Sequence, residues 1–284
     1  MKRELYIQIK EFLREVIRGT EFEGHVMTVG GCVRDELMEL EIKDIDLCVS
    51  LPGGGIRFAE WLKDKGLTTK GVTVYPTFGT AMLHLKAFPD VELEFVQTRK
   101  EKYIDHSCRN PETAFGSIED DCMRRDLTIN ALYCNVSTDE IIDITGNGVN
   151  DIRDHILRTP TDPDLTYDDD PLRMLRAVRF ATKLSTWTKY FNITPECMDS
   201  IRRNAYRLQI LSKERIVEEL NKILVTDHPS MGFDLMDRLG MLQYILPDLL
   251  KLKGVQMQEG RAHKENFAHT LQVVDNVAEA EVEA

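Results

Sequence analysis

Apolar side chains recur at two different periods along the chain, and the change of period separates its two halves. Helical spacing predicts helices at 3–18 and 56–65. Alternation of apolar and polar positions predicts strands in the same half, at 25–29, 45–49, 72–75, 80–86 and 91–97. Beyond residue 168 the periodic segments all have helical spacing. The sequence therefore predicts an α+β fold, with a small mixed sheet followed by an all-helical part.

Two adjacent glycines, Gly30 and Gly31, follow the first predicted strand, and Asp44 and Asp46 enter the second. Residues two apart on a strand point to the same side, so the two carboxylates project together and repel each other. A bound Mg²⁺ usually compensates such a pair, and nucleotidyl transfer requires such a site. A turn without β-carbons also lets backbone N–H groups approach a triphosphate. Each feature alone is more often structural, but together they favour nucleotide transfer.

Composition and charge bear on the cellular compartment and indicate a candidate nucleic-acid surface. The 284-residue chain has a formal net charge of −12, which argues against a protein that coats DNA. Between Pro171 and Arg215, however, ten basic side chains stand against three acidic ones, as a phosphate or RNA surface would, although a solvated helix face is the alternative. There is no signal peptide or long apolar run, and the cysteines lack metal-finger spacing. We expect a cytoplasmic protein that contacts no membrane.

Further candidate residues lie between the predicted strands and the helical part. The polar segment 99–116 lacks periodicity and is predicted to be a long mobile loop. Arg124 and Arg125 then have the chemistry to clamp phosphates, and Asp126 and Asn130 that to read a ribose hydroxyl. Surface salt bridges are the alternative, and the run itself fits helix and strand equally well.

A Gly- and Asp-rich connection near residue 147 is the predicted first domain boundary, and the acids before Pro171 predict a helix start. Arg173, Arg176 and Arg179 recur every three residues of that helix, which predicts one cationic stripe. Asp170 lies three residues before Arg173, so the two are expected to meet. They would form either a helix-surface ion pair or a donor–acceptor pair that reads a base edge.

Five ordered segments in residues 20–225 resemble class II tRNA nucleotidyltransferases, the CCA-adding enzymes, with their bacterial poly(A) polymerase relatives. GGCVRD followed by DID is similar to the metal-binding motif of this family. RRDLTINAL is similar to the ribose-reading motif, with Leu127 in place of the usual phenylalanine. DDPLRMLRAVRFA resembles the base-reading motif, with Asp169 in place of the usual glutamate. KERIVEEL resembles a buttressing helix, and the segment from Lys102 to Gly116 corresponds to a flexible loop.

The resemblance implies a polymerase-β-like head over residues 1–147, a helical neck over 148–225 and a helical body over 226–284. It also implies two Mg²⁺ ions held by Asp44 and Asp46, with Glu94 as a third carboxylate. The implied nucleotide-binding residues are Gly30, Gly31, Arg34, Arg124, Arg125, Asp126, Asn130, Asp170, Arg173, Arg176 and Arg179.

The implied activity is addition of C, C and A to the 3′ end of tRNA from CTP and ATP. FGTAML after Tyr75 is more similar to the CCA-adding form than to the poly(A) polymerase form. Poly(A) polymerase, or an enzyme that adds only C or only A, is the alternative within the same chemistry. An inactive RNA-binding module is the alternative from another class. The sequence does not indicate an oligomeric state.

The last residues resemble the start of an HD phosphohydrolase domain, with His269 in the place of its first metal ligand. His263 and His269 are six residues apart and do not form a metal site by themselves. Because the His-Asp doublet of that domain is absent, we expect a truncated domain without hydrolase activity.

Overall fold

The computed structural model describes residues 3–69, 71–102, 112–186, 188–254, 257–258, 261–262 and 266–282. The chain divides into two compact units, Met1–Asp154 and His155–Ala284, which are described in turn. Within the described residues, no helix is both long enough and apolar enough to cross a membrane.

The first unit contains a seven-stranded mixed sheet, as the alternation of apolar and polar residues predicts. Its helices are α1 (Arg3–Ile17), α2 (Gly31–Leu37), α3 (Gly54–Asp64), α4 (Ile118–Met123) and α5 (Gly148–Asp154). Its strands are β1 (Val26–Val29), β2 (Ile45–Val49), β3 (Thr73–Tyr75), β4 (Thr80–Leu85), β5 (Phe88–Gln97), β6 (Arg99–Lys102), β7 (Glu112–Phe115), β8 (Tyr133–Asn135) and β9 (Ile141–Ile142). The sheet order is β3-β4-β5-β2-β1-β8-β9. Only the central pair of strands, β2 and β5, is parallel.

The centre of this sheet is fixed by close packing of α3. A β-carbon on Gly55 would lie 2.7 Å from the backbone carbon of Val96 in β5, and one on Gly54 would lie 2.7 Å from the side chain of Val49 in β2. Only glycine therefore allows α3 to approach these two strands so closely. Leu93 and Phe95 are buried while Glu92 is exposed, which confirms the predicted alternation along β5.

The segment 99–116 differs from the predicted mobile loop at both of its ends. β6 pairs with β7 in an antiparallel ladder that runs from Arg99 opposite Phe115 to Lys102 opposite Glu112. Because β6 is polar on both faces, it has no apolar alternation to predict a strand. Residues 103–111 of the expected loop lie outside the described part of the chain. The run after this segment, which fitted helix and strand equally well in the sequence, contains both. Helix α4 and a 3₁₀ turn at Thr128–Asn130 come first, and strand β8 follows them.

The second unit is mainly helical, as predicted. Its helices are α6 (Pro163–Asp169), α7 (Leu172–Leu184), α8 (Pro195–Asn204), α9 (Lys213–Leu224), α10 (Pro229–Arg238), α11 (Leu242–Ile245), α12 (Pro247–Leu250) and α13 (Asn266–Val282). Two-residue strand pairs interrupt the helices: β10 (Ile156–Leu157) with β11 (Asn192–Ile193), and β12 (Met257–Gln258) with β13 (Arg261–Ala262).

Helix α6 corrects the predicted helix start before Pro171. Asp162 caps α6 by accepting the backbone N–H groups of Asp164 and Leu165, and Pro163 occupies its first turn. The acidic residues Asp168 and Asp169 therefore end α6 instead of opening α7. An aspartate cap followed by proline is a helix-start signal, but the surrounding Asp-rich sequence resembles a linker.

Candidate active site

Carboxylates from the two central strands lie side by side. Asp46 of β2 is the register partner of Glu94 in parallel β5, and Asp44 is exposed one residue before β2 begins. Burial and the charges of Glu94 and Asp44 raise the pKa of Asp46 to about 6, although the Arg125 guanidinium opposes them. Burial, Glu92 and Asp44 likewise raise the pKa of Glu94. Negative charge is therefore concentrated at this place in the sheet.

The three carboxylates of Asp44, Asp46 and Glu94 form a donor set that fits a divalent cation. Among the described residues, no group of three or more His, Cys, Asp or Glu side chains is arranged to hold a metal ion. Asp44, Asp46 and Glu94 nevertheless supply only carboxylate oxygens, the ligands that Mg²⁺ prefers. The raised pKa of Asp46 also indicates that its negative charge is incompletely compensated in the metal-free protein. Metal binding by these residues stays a prediction.

The two glycines before α2 have different roles. Gly30 has φ +74° and ψ −120°, a conformation that side chains other than glycine rarely adopt, and its N–H donates to the carbonyl of Leu132 at 3.0 Å. A β-carbon on Gly30 would also lie 3.4 Å from Nη1 of Arg125. A β-carbon on Gly31 would lie at an ordinary 3.7 Å from Nη2 of Arg34. The backbone therefore requires glycine at position 30 but not at position 31.

Arg34 points into the protein. It is 3% exposed, its guanidinium pairs with Asp35 at 2.7 Å, and Nη1 donates to Oδ1 of Asn130. Asn130 in turn donates from Nδ2 to Oδ1 of Asp126 at 3.2 Å. This network holds the 3₁₀ turn of the predicted ribose-reading motif against α2. The described contacts thus place the Arg34 guanidinium against the predicted ribose-reading motif, and a nucleotide contact of Arg34 stays a prediction.

Arg124 and Arg125 share one buried carboxylate, that of Asp121 in α4. Asp121 is fully buried, and its two oxygens accept from Arg124 at 2.6 Å and from Arg125 at 2.8 Å. Burial alone would raise the pKa of Asp121, but the two guanidinium groups and a hydrogen bond from Tyr133 lower it to about 2. The salt bridges that the sequence left as an alternative are therefore present, but they are largely buried. Residues three and four apart on a helix face each other, and this spacing was the available sequence signal for Asp121.

In the second unit, the side chains of Asp170 and Arg173 have different partners, although the backbone N–H of Arg173 donates to the carbonyl of Asp170 at 3.0 Å. Asp170 accepts the N–H of Leu172 at 3.1 Å through Oδ1 and an N–H of Arg215 in α9 at 2.8 Å through Oδ2. Arg173 is 9% exposed and donates to the carbonyl of Thr166 at 3.2 Å. The predicted pairing assumed one continuous helix, whereas Asp170 stands between α6 and α7. The sequence analysis assigned Arg215 no individual role, because Arg215 lies 45 residues after Asp170 in the chain and their contact depends on tertiary packing.

The predicted cationic stripe on α7 is not an open surface. Arg179 is 9% exposed and its Nε donates to Glu219 of α9 at 2.7 Å. Arg176 is only partly exposed, and its guanidinium lies 5.7 Å from the ring centre of Phe180. The packing of α7 against α9 therefore neutralises part of the charge that the three-residue spacing predicted to face solvent.

The two histidines of the predicted HD-domain start lie near the end of the chain. His269 lies in α13, and His263 lies outside the described residues. The HD-domain interpretation stays a prediction.

Family models and known proteins match the regions described above. The "Poly A polymerase head domain" matches residues 26–158, and the "Probable RNA and SrmB- binding site of polymerase A" matches residues 190–252. The mitochondrial CCA tRNA nucleotidyltransferase of Candida glabrata is 36% identical over 225 residues. This match covers 74% of the chain but 41% of the relative, so the chain spans about two fifths of the length of that protein.

Solved structures of similar proteins contain nucleotides or tRNA. The Bacillus stearothermophilus CCA-adding enzyme in complex with CTP has a TM-score of 0.69 and 26% identity, over 89% of this chain and 57% of that one. A tRNA nucleotidyltransferase complexed with a primer tRNA and an incoming ATP analog has a TM-score of 0.65 and 26% identity, over 80% of this chain and 63% of that one.

Proposed function

Because the chain belongs to the family of class II tRNA nucleotidyltransferases and poly(A) polymerases, we propose that it adds C, C and A to the 3′ end of tRNA. The reaction joins the 3′-hydroxyl oxygen of the RNA to the α-phosphorus of CTP or ATP and releases pyrophosphate. The observation that carries the proposal is the register of Asp46 with Glu94, beside Asp44 and the guanidinium of Arg125. Nucleotidyl transfer needs such a carboxylate site next to a cationic phosphate site.

Asp44 and Asp46 are the proposed ligands of Mg²⁺, with Glu94 as the third carboxylate. When bound, the cations lower the pKa of the attacking hydroxyl and neutralise charge on the triphosphate. The family implies use of a divalent metal, and the choice of Mg²⁺ rests on the all-carboxylate donor set.

The remaining predicted site residues bind and orient the nucleotide. Arg125 and the backbone at Gly30 are proposed to contact the triphosphate, since a guanidinium forms paired hydrogen bonds with phosphate oxygens. Asp126 and Asn130 are proposed to contact the ribose, in an orientation fixed by Arg34. Asp170 and Arg173 are proposed to select the base. The hydrogen bonds from Leu172 and Arg215 support this by fixing the carboxylate of Asp170 in one orientation.

We further propose that the division predicted from the sequence, into a head, a neck and a body, describes the roles of these regions. Helix α5, which the prediction places in the neck, groups with the first unit. We retain the cytoplasm as the proposed compartment, although the Candida glabrata relative is named as mitochondrial.

A nucleotide-incorporation assay tests the proposal. The protein is incubated with Mg²⁺, labelled CTP and ATP, and tRNA that lacks its last three nucleotides. We expect both nucleotides to be incorporated, and we expect Asp44→Ala to abolish incorporation. A long run of A with no C would instead identify a poly(A) polymerase, and no incorporation at all would favour an inactive RNA-binding module. Activity that survives Asp44→Ala would contradict the metal assignment.

A further inference from the structure

One buried carboxylate determines where both arginines of the RRD motif lie. Asp121 is fully buried, and its Oδ1 accepts from Nε and Nη2 of Arg124 at 2.9 and 2.6 Å. Its Oδ2 accepts from Nε and Nη2 of Arg125 at 3.2 and 2.8 Å and from the hydroxyl of Tyr133 at 2.7 Å. Each oxygen thus holds one guanidinium. Such two-point pairing fixes the plane of a guanidinium as well as its position.

Arg125 is held from further directions. The guanidinium lies 5.3 Å from the centre of the Tyr133 ring, and Nε also donates to the Tyr133 hydroxyl at 3.2 Å. Nη1 donates to the carbonyl of Asn130 at 3.4 Å and lies 3.4 Å from the position of a β-carbon on Gly30. Arg125 therefore lies beside the glycine turn.

The pairing with Asp121 leaves part of this guanidinium available. Arg has five N–H donors. Within the described residues, Nε of Arg125 donates to both Asp121 and Tyr133, while Nη1 and Nη2 form one hydrogen bond each, so each terminal nitrogen keeps one further N–H. The Arg125 side chain as a whole is 17% exposed. A phosphate oxygen is a suitable acceptor for these two donors.

We infer that Asp121 is a positioning residue of the proposed nucleotidyl transfer, which orients Arg125 toward the phosphates of the incoming nucleotide. This inference rests on the proposed function, since it assigns Asp121 a role in that reaction. Without the carboxylate, Arg125 loses its two-point partner and can rotate about its side-chain torsions. Displacement of a binding group by about 1 Å can lower a rate by about 100-fold.

Asp121→Asn and Tyr133→Phe test the inference. Asp121→Asn keeps the shape but removes the charge that pairs both arginines. Tyr133→Phe removes only the hydroxyl that fixes Oδ2, and it keeps the inference testable if Asp121→Asn does not fold. Glu119→Gln, an exposed acid of the same helix, is the matched control. For each variant, kcat and the KM values for CTP and for the tRNA primer are measured, together with the Tm.

We expect Asp121→Asn to lower kcat/KM for CTP by about 100-fold and Tyr133→Phe to lower it by about fivefold. The KM for the primer should stay within about twofold of the wild-type value, because the charged partners of Asp121 are Arg124 and Arg125, the arginines predicted to bind phosphates. Glu119→Gln should behave as the wild-type protein does. A general loss of structure would instead lower the apparent kcat, because less enzyme is folded, while both KM values stay unchanged, and the effect would scale with the loss of Tm.

A double substitution separates positioning from an independent effect. If Asp121 acts through Arg125, adding Asp121→Asn or Tyr133→Phe to Arg125→Ala should lower kcat/KM by no more than about threefold further. The inference would be overturned if the fold-losses in kcat/KM of the two single variants multiply in the double variant. It would also be overturned if the Asp121→Asn protein has the wild-type KM for CTP. Absence of incorporation by the wild-type protein would instead overturn the proposed function, so the two failures are distinguishable.

Discussion

Replacement of Asp46 by asparagine should make the metal-free protein more stable while it removes activity. Burial, Glu94 and Asp44 raise the pKa of Asp46 from 3.8 to about 6, despite the opposing charge of Arg125. The folded protein therefore holds this proton more tightly than the unfolded chain does. As the pH rises from about 4 through about 6, ionisation of Asp46 progressively favours unfolding. An uncharged asparagine of nearly the same shape avoids this cost.

The size of the effect follows from the difference between the two pKa values. Each unit of pKa corresponds to about 1.4 kcal/mol, which gives roughly 3 kcal/mol above pH 7. Partial exposure of Asp46 allows solvent to screen the repulsion, so we expect a gain of about 1–3 kcal/mol for Asp46→Asn. A protein of this size should then gain several degrees in Tm, at about 2–4 °C per kcal/mol.

Urea unfolding in EDTA, at pH 7.5 and again at pH 4.5, measures this difference. The variant should be more stable than the wild-type protein at pH 7.5, and most of the advantage should be gone at pH 4.5. Added Mg²⁺ should stabilise the wild-type protein more than the variant. Asp90→Asn, at an exposed acid of β5, should change stability by less than about 0.5 kcal/mol. An Asp46→Asn protein that is no more stable than the wild type at pH 7.5 would refute the reasoning about carboxylate repulsion.

Three further predictions concern other parts of the protein. Gly30→Ala and Gly19→Ala should each lower the free energy of unfolding in urea by about 1 kcal/mol or more, because both positions have φ near +70°. Only Gly30→Ala should also lower nucleotide incorporation more than tenfold, since only its β-carbon would approach Arg125. Equal activity of the two variants would contradict a role for the Gly30 turn. Arg173→Ala should impair the choice between CTP and ATP more than RNA affinity, and equal losses in competition and filter-binding assays would count against base selection. Glu219→Ala should cost about 3 kcal/mol in thermal unfolding, because it removes the carboxylate that pairs with buried Arg179. A loss below about 1 kcal/mol would show that this ion pair is unimportant.

The sequence predicts the part of the site that depends on local periodicity. Alternation along two strands places Asp46 and Glu94 on the strands that the structure pairs in parallel register. The glycine turn and the strand that follows it also appear where the pattern predicts them. Such features need only the geometry of a strand or a turn, which nearby residues determine.

The sequence does not predict contacts that depend on tertiary packing. Arg34 is an implied nucleotide-binding residue, and the sequence gives no sign of its hydrogen bond to Asn130, which lies 96 residues later in the chain. The carboxylate of Asp170 contacts Arg215 instead of the Arg173 guanidinium, because Asp170 lies between α6 and α7 and not in one continuous helix with Arg173. β6 lacks apolar alternation and is recognised only through its pairing with β7.

Sequencing of the RNA 3′ ends made by the wild-type protein tests the central claim most directly. A tRNA that lacks its last three nucleotides is incubated with all four nucleoside triphosphates and Mg²⁺, and the added nucleotides are read from individual product molecules. The account predicts addition of C, C and A in that order, followed by a stop. Products that end in a long run of A, or RNA that is returned unextended, would contradict it.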